Sequence, residues 1–267
     1  MKIGDNLEQV FSLKEKVVLL TGASGGIGSV LAKGLAGAGA DLALADLSLE
    51  TMEQLYDSLE PGNHSTFKLD VGSMESIKSC VDKVLQQYGR IDVLVNCAGI
   101  NKREGFLDVE ENTFDRIMNI NLKGMFFLSQ DVVKKSMIRT GGKIINMGSL
   151  NCTGMLGGVS VYGASKSAMA ALTRSMAIEW AKFDIQANCI APGHILTALT
   201  KVTWENPHRA EYLRERIAAE RPGTPEELVG ITILLASNAS SYMTGHIYNV
   251  DGGALIGGKP WQFDTVY

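Results

Sequence analysis

Short apolar runs alternate along this chain with longer segments of helical periodicity. Lys16–Leu20 (KVVLL), Asp41–Ala45 (DLALA), Ser65–Leu69 (STFKL), Ile91–Asn96 (IDVLVN), Gly142–Met147 (GKIINM), Ile185–Ile190 (IQANCI) and His246–Val250 (HIYNV) read as strands. Most lack clean polar alternation, the pattern of strands buried on both faces. Between them, SMESIKSCVDKVLQQYG places Ile77, Val81, Val84 and Leu85 at helical spacing. The alternation predicts an α/β fold, a doubly wound parallel sheet of about seven strands with helices on both faces. Right-handed crossovers then put ligands beyond the carboxyl ends of the strands.

No repeat, low-complexity tract or linker interrupts residues 1–267, which read as a single domain. From 194 to 223 no strand can be placed, and two prolines and a tryptophan break the helical pattern. An excursion past a strand's carboxyl end is where a substrate lid sits; a plain surface loop is the alternative.

The first strand runs into TGASGGIG, Thr21 to Gly28, and SVLAKGLAGAGA then reads as helix. Backbone amides at such a helix start favour a pyrophosphate, and glycines let it come close. The spacing is G-x-x-x-G-x-G at Gly22, Gly26 and Gly28, not the commoner G-x-G-x-x-G. Its place between first strand and first helix predicts a Rossmann-type dinucleotide site. Asp46 ends the second strand, where an acid accepts bonds from the adenosine ribose. A 2′-phosphate would meet it as a like charge, and Ser24, Gly25, Leu47 and Ser48 offer no cation. A penalty of ~3 kcal/mol is about a hundredfold in affinity, so NAD is expected over NADP. Asp70 and the stretch NCAG (Asn96–Gly99) end the next two strands. Both fit the cofactor cleft, and both fit turn chemistry equally well.

Composition narrows the partners. A net charge of −4 gives no basic patch for nucleic acid. No apolar run nears the ~20 residues that cross a bilayer, and MKIGDNLEQVFSLKEK has no signal-peptide core, so no membrane contact and a cytoplasmic location are expected. Cys80, Cys97, Cys152 and Cys189 contain no C-x-x-C pair and read as buried small hydrophobes. His64, His194, His208 and His246 are scattered, and no metal site is expected. In SVYGASKSAM, Tyr162 and Lys166 stand one helical turn apart on one face. Alone, that pair reads as a surface coincidence.

TGASGGIG, NCAG, Ser149, YGASK and APGHILT occur together in the order and spacing of the short-chain dehydrogenases/reductases, which the chain resembles from KVVLLTG to NVDGG. The resemblance implies a catalytic set of Asn121 (in NINLKG), Ser149, Tyr162 and Lys166. It implies cofactor contacts at Gly22, Ser24, Gly26, Ile27, Gly28, Asp46, Asp70, Val71, Asn96, Ala98, Gly99, Tyr162 and Lys166. Pro192, Gly193, Ile195 and Thr197 fall on the segment that holds the nicotinamide end. Cys97 departs from the family, which often repeats asparagine there. Family members are usually homotetramers.

The chemistry explains these residue types. A free tyrosine titrates near ~10, and lowering that by about three units takes roughly 4 kcal/mol. One cation about 4 Å away, at an effective dielectric near 20, supplies about that much. Lys166 and the positive ring of oxidised nicotinamide are the candidate cations, and in the family the lysine also donates to the nicotinamide ribose. Ser149 is expected to hold the substrate oxygen and Asn121 to anchor a water for proton exchange. Gly163, Ala164 and Ser165 are expected to clear room for the cofactor. Hydride transfer belongs to the cofactor.

AGINKREGF, FDRIMNINLKGMFFLSQ and PEELVGITILLASNASSYMTGHIYNVDGG resemble the branch holding gluconate 5-dehydrogenases and 2-deoxy-gluconate 3-dehydrogenases. This implies an NAD-dependent oxidoreductase acting on a sugar, sugar acid or polyol, sulfonated and phosphorylated sugars included. Lys102, Arg103, Ser149, Asn151, His194 and Arg209 are the candidate substrate residues. A 3-oxoacyl-carrier-protein reductase shares the scaffold but normally wants NADPH and a basic patch. A non-catalytic NAD sensor should have lost one of the four catalytic residues. Ala170, Leu172, Met176, Ala177 and Trp180 supply apolar surface for a neighbouring subunit. In the C-terminal tail, 254–267, Trp261, Phe263 and Tyr267 are expected to dock on that neighbour.

Overall fold

The computed structural model describes residues 7–258. All seven apolar runs form strands: β1 Val17–Thr21, β2 Asp41–Asp46, β3 Ser65–Lys68, β4 Val93–Asn96, β5 Gly142–Met147, β6 Ile185–Pro192 and β7 Ile247–Val250. They make one sheet in the order β3-β2-β1-β4-β5-β6-β7, parallel at every pairing. The winding direction reverses between β1 and β4, which opens a crevice at their carboxyl ends.

The helices are α1 Leu7–Phe11, α2 Gly28–Gly37, α3 Leu49–Tyr56, α4 Met74–Tyr88, α5 Glu111–Met118, α6 Met125–Val132, α7 Ile138–Thr140, α8 Ser160–Trp180, α9 Lys201–Trp204, α10 Pro207–Arg214 and α11 Val229–Ala236. They cover both faces of the sheet. Alternate strand residues divide between two cores, as the two-residue repeat of a strand requires. Leu19, Leu94 and Ile144 pack with Val81, Leu128 and Met169, from α4, α6 and α8. Val18, Leu20 and Ile145 pack with Leu31, Leu35 and Leu235, from α2 and α11. The spacing in α4 holds: Ile77, Val81 and Val84 are buried, Ser73 caps the first turn, and Gly89 ends it at φ 74°.

Residues 111–140 are helical throughout, but two stretches, Asn119–Gly124 and Val133–Met137, are π-helical. The first carries Asn121. Gly124 lies so close to the end of β3 that a Cβ there would stand 2.2 Å from the carbonyl oxygen of Val71.

Past β6 the chain makes the expected excursion. Ile195 bridges Gly223 in parallel, so the loop leaves and returns at one point, with α9 and α10 between. Its far end rests on the segment after β7, where the Ala219 amide donates to Gly252 O at 3.0 Å. Trp261, Phe263 and Tyr267 of the tail lie outside the described residues. No helix among the described residues is long and apolar enough to cross a membrane.

Candidate active site

The glycine turn fits between its neighbours because it has no side chains. Gly22 has φ 65°, and a Cβ on it would stand 2.8 Å from Ala98 Cα. A Cβ on Gly28 would stand 2.0 Å from Gly22 O. Neither position accepts alanine without moving backbone. Thr197, from the far side of β6, closes over the turn, 3.0 Å from where a Gly26 Cβ would be. Thr21 at the end of β1 accepts the amides of Cys97 and Ala98 at 3.1 and 3.2 Å. The turn after β4 is thereby stitched to the glycine turn. Ser24 donates through its amide (2.9 Å) and hydroxyl (2.6 Å) to Asp46 Oδ2, and the Leu47 amide donates to Oδ1 at 2.7 Å. The carboxylate at the end of β2 is thus fixed against the turn.

Asp70 and Asn96 have local tasks. Asp70 Oδ1 closes a turn by accepting the Gly72 amide at 2.8 Å. The buried Asn96 amide points inward, donating to Ser129 Oγ (3.0 Å) and Asn146 Oδ1 (2.8 Å). Asn146 passes the chain on to Thr173 Oγ1 at 2.9 Å, which ties β4 and β5 to α8.

The four expected catalytic residues gather around the start of α8. Lys166 is only 4% exposed, and its ammonium donates to Met147 O, the last residue of β5, at 2.7 Å. Nζ stands 5.6 Å from the centre of the Tyr162 ring and 3.5 Å from where a Gly99 Cβ would be. One carbonyl takes one of its three protons and leaves two donors. Ser149 donates to Asn151 Oδ1 (3.1 Å) and accepts the Asn151 amide (3.2 Å). Asn121, fully buried, grips Ile100 from both sides: Oδ1 accepts its amide (2.8 Å) and Nδ2 donates to its carbonyl (2.9 Å). Nδ2 also donates to Ser165 Oγ at 3.2 Å, and Ser165 donates to Tyr162 O at 2.7 Å. Asn121 therefore ties the loop after β4 to the turn that carries Tyr162.

This geometry also gives Gly163 and Ser165 a packing role within the chain. Gly163 is buried, and a Cβ there would stand 2.7 Å from Met155 Sδ and 3.4 Å from Asn151 Nδ2. Gly163 thus admits the Ser149 loop, and Ser165 admits Asn121.

The substrate candidates divide. Burial pushes the His194 imidazole below its usual range, the Arg103 charge pushes the same way, and Asp251 opposes both. Arg103 and Asp251 therefore lie within electrostatic reach of His194, and Asp251 packs against Gly193, where a Cβ would stand 2.6 Å from Asp251 Cα. Asp251 is itself held by the amides of Gly253 (2.9 Å) and Leu255 (3.0 Å). Lys102 is drawn away to Glu104 (2.5 Å) and Thr113 Oγ1 (3.1 Å). Arg209 is exposed in the first turn of α10, behind its Asn206 cap. Asn151 is buried and supports Ser149. Asp251 and the Met147 carbonyl are functional positions beyond the sequence candidates, and Ser165 takes a hydrogen-bonding role that its small size alone does not announce. Asp251 carried a signal, since it follows β7 as Asp70 follows β3.

The residues fit a nicotinamide dinucleotide: a turn bare of side chains before α2, a fixed carboxylate at β2, and a buried ammonium with spare donors. Among the described residues, no group of three His, Cys, Asp or Glu is placed to hold a metal.

Residues 22–254 match the family described as Enoyl-(Acyl carrier protein) reductase. A 2-dehydro-3-deoxy-D-gluconate 5-dehydrogenase from Bacillus subtilis is 43% identical over 253 residues, 93% of this chain and 98% of that protein. A 3-oxoacyl-(acyl-carrier-protein) reductase from Thermotoga maritima is 39% identical over 249 residues, 91% of this chain and 99% of that one. A gluconate 5-dehydrogenase from Burkholderia cenocepacia, crystallised with NADP and tartrate, has a TM-score of 0.88 at 34% identity, covering 93% of this chain and 98% of its own. With this match over nearly the whole length, the chain belongs to the short-chain dehydrogenase/reductase family and is an oxidoreductase acting on CH–OH groups.

Proposed function

We propose that the protein transfers hydride between NAD and a secondary alcohol of a sugar acid. The observation that carries this reading is Lys166, a buried ammonium held at the end of β5 beside Tyr162 and one turn from the Ser149 loop. When bound, the nicotinamide supplies the hydride acceptor or donor. Tyr162 takes the proton from the substrate hydroxyl in oxidation and returns it to the carbonyl oxygen in reduction. Oxidation thus starts from, and reduction ends at, the Tyr162 phenolate, and the Lys166 ammonium is the positive charge held near its ring. Ser149 hydrogen-bonds the substrate oxygen, held in place by Asn151. Arg103, whose charge reaches His194, is the cation we assign to the substrate carboxylate; Lys102 is already paired.

We assign NAD because Asp46 and Ser24 occupy the ribose end together, and a 2′-phosphate would meet a fixed carboxylate there. The Burkholderia structure holds NADP, so the choice rests on residue 46 and its neighbours in this chain. Residues 194–223 act as the substrate lid over a single catalytic domain. The working form is a homotetramer. Four free cysteines fit the reducing cytoplasm.

The deciding experiment is a turnover panel of sugar acids, neutral sugars, polyols and 3-oxoacyl thioesters, each with NAD(H) and NADP(H). The expected result is turnover with a sugar acid and NAD. Faster reduction of the thioester with NADPH would transfer the assignment to the activity named for the Thermotoga relative. Tight NAD binding with no turnover would make the protein a sensor. Asp46→Ala is expected to weaken NAD and narrow its advantage over NADP by roughly a hundredfold. An unchanged preference would remove Asp46 from the cofactor site.

A further inference from the structure

Two thiols lie directly behind the Ser149 loop and take no part in the chemistry above. Cys152 Sγ and Cys189 Sγ are 4.0 Å apart. Cys189 is fully buried in the middle of β6, a strand paired on both sides. Cys152 is half-buried and ends the single 3₁₀ turn Leu150–Cys152 that Ser149 caps. Its amide donates to Ser149 O at 2.8 Å, and its sulfur lies 3.2 Å from the carbonyl oxygen of Lys166. Gly148, just before Ser149, lies against both sulfurs: a Cβ there would stand 2.6 Å from Cys189 Sγ and 2.7 Å from Cys152 Sγ. Only a glycine lets the pair approach over this strand end.

We propose that Cys152 and Cys189 form a reversible disulfide on exposure to a hydroperoxide, and that this bond displaces the Ser149 loop and stops turnover. The Cys152 thiolate attacks one peroxide oxygen, the O–O bond breaks as the S–O bond forms, and the other oxygen leaves after protonation as water from hydrogen peroxide or as an alcohol from an organic hydroperoxide. The Cys189 thiol then attacks that sulfenic sulfur, the S–O bond breaks, and water leaves. Each sulfur is oxidised by one electron, and the peroxide is reduced by two. Bonding brings the sulfurs from 4.0 Å to about 2.05 Å. β6 is fixed on both sides, so the movement falls on the short turn, and through it on Ser149 and Asn151.

The other thiols are poor competitors. Burial pushes Cys80 up to about 12 and Cys97 up to about 11. Within the pair, Cys189 is fully buried and Cys152 half-buried, so a peroxide reaches Cys152, and the hydrogen bond the two sulfurs share lowers the Cys152 thiol and raises that of Cys189.

The test treats the purified full-length protein with hydrogen peroxide and maps its peptides without reductant. The expected result is a Cys152–Cys189 linked peptide and a mass loss of two hydrogens. Turnover is expected to fall by roughly a hundredfold, the scale of a 1 Å displacement at a reacting group, and to return with dithiothreitol. Cys152→Ser is expected to keep its turnover under the same treatment. The absence of the linked peptide overturns the proposal. So does a complete link with unchanged turnover, or an equal loss of turnover in Cys152→Ser. If that variant does not fold, the wild-type link and its reversal by dithiothreitol decide. The link is read without substrate, so it stands or falls independently of the sugar-acid assignment.

Discussion

Tyr162→Phe removes one oxygen from a ring that lies beside Lys166 and leaves its packing in place. NAD binding, measured by titration, should persist, while turnover falls by roughly 10²–10⁴-fold, the usual contribution of a positioned proton carrier. Near-normal turnover at saturating NAD would take the proton from Tyr162. A second residue answers to pH. The fold holds the His194 pKa below its unfolded value, so the unfolded chain binds the proton more readily in the window between the two. The group's stabilising contribution is therefore full above the ordinary histidine range and is lost as the pH falls through it. His194→Gln should lose less Tm than the parent between about pH 7.5 and about pH 5. Equal losses in the two proteins would show that His194 carries no such penalty. Tyr162 and Lys166 were legible only together with Ser149 and the glycine turn, since two residues one helical turn apart read by themselves as a surface pair. The role of Asn121 was not legible, since its partners Ile100 and Ser165 lie 21 and 44 residues away and meet it only in the fold.

The strands were legible for a plain reason. The central strands are buried on both faces and so must be short apolar runs, β1 and β4 at every position, while the edge strands β3 and β7 are only partly buried. The π-helical stretch Asn119–Gly124 was not legible, because the two Asn and the Gly of NINLKG weaken a helix without specifying a wider turn. Its cause is tertiary, since the helix passes within backbone distance of Val71 at Gly124. Gly124→Ala would push a methyl group into Val71 O. Overpacking of this kind costs about 1–3 kcal/mol, and a chain of this length loses ~2–4 °C of Tm per kcal/mol. The expected result is a Tm lower by several degrees. A drop in turnover should accompany it, because the same stretch positions Asn121 and hence Ser165 and Tyr162. An unchanged Tm would mean that the helix yields freely at this point and that the contact with Val71 does not fix Asn121.

Seen whole, the sheet accounts for one face of α8 and leaves the other partly uncovered. Leu172 of α8 joins Met118, Leu122, Phe126 and Phe127 in a groove of about 870 Å³, with Asp115, Arg116 and Lys123 among its lining. The two phenylalanine rings meet edge to face, 5.2 Å between centres. An apolar floor lined also by charges of both signs suits a second copy of the same surface, since two-fold pairing sets each acid near the partner's base. The helix that carries Tyr162 and Lys166 would then be braced on both sides. This predicts that light scattering will give a mass at least twice the 28.7 kDa of one chain. Phe127→Glu should lower that mass, because each dimer would bury two unpaired carboxylates, a cost of several kcal/mol. If the parent is already monomeric, the groove is open to solvent and α8 must hold Lys166 against Met147 by its sheet contacts alone. If Phe127→Glu dissociates the assembly but keeps full turnover, pairing serves stability and the catalytic residues are set within one chain.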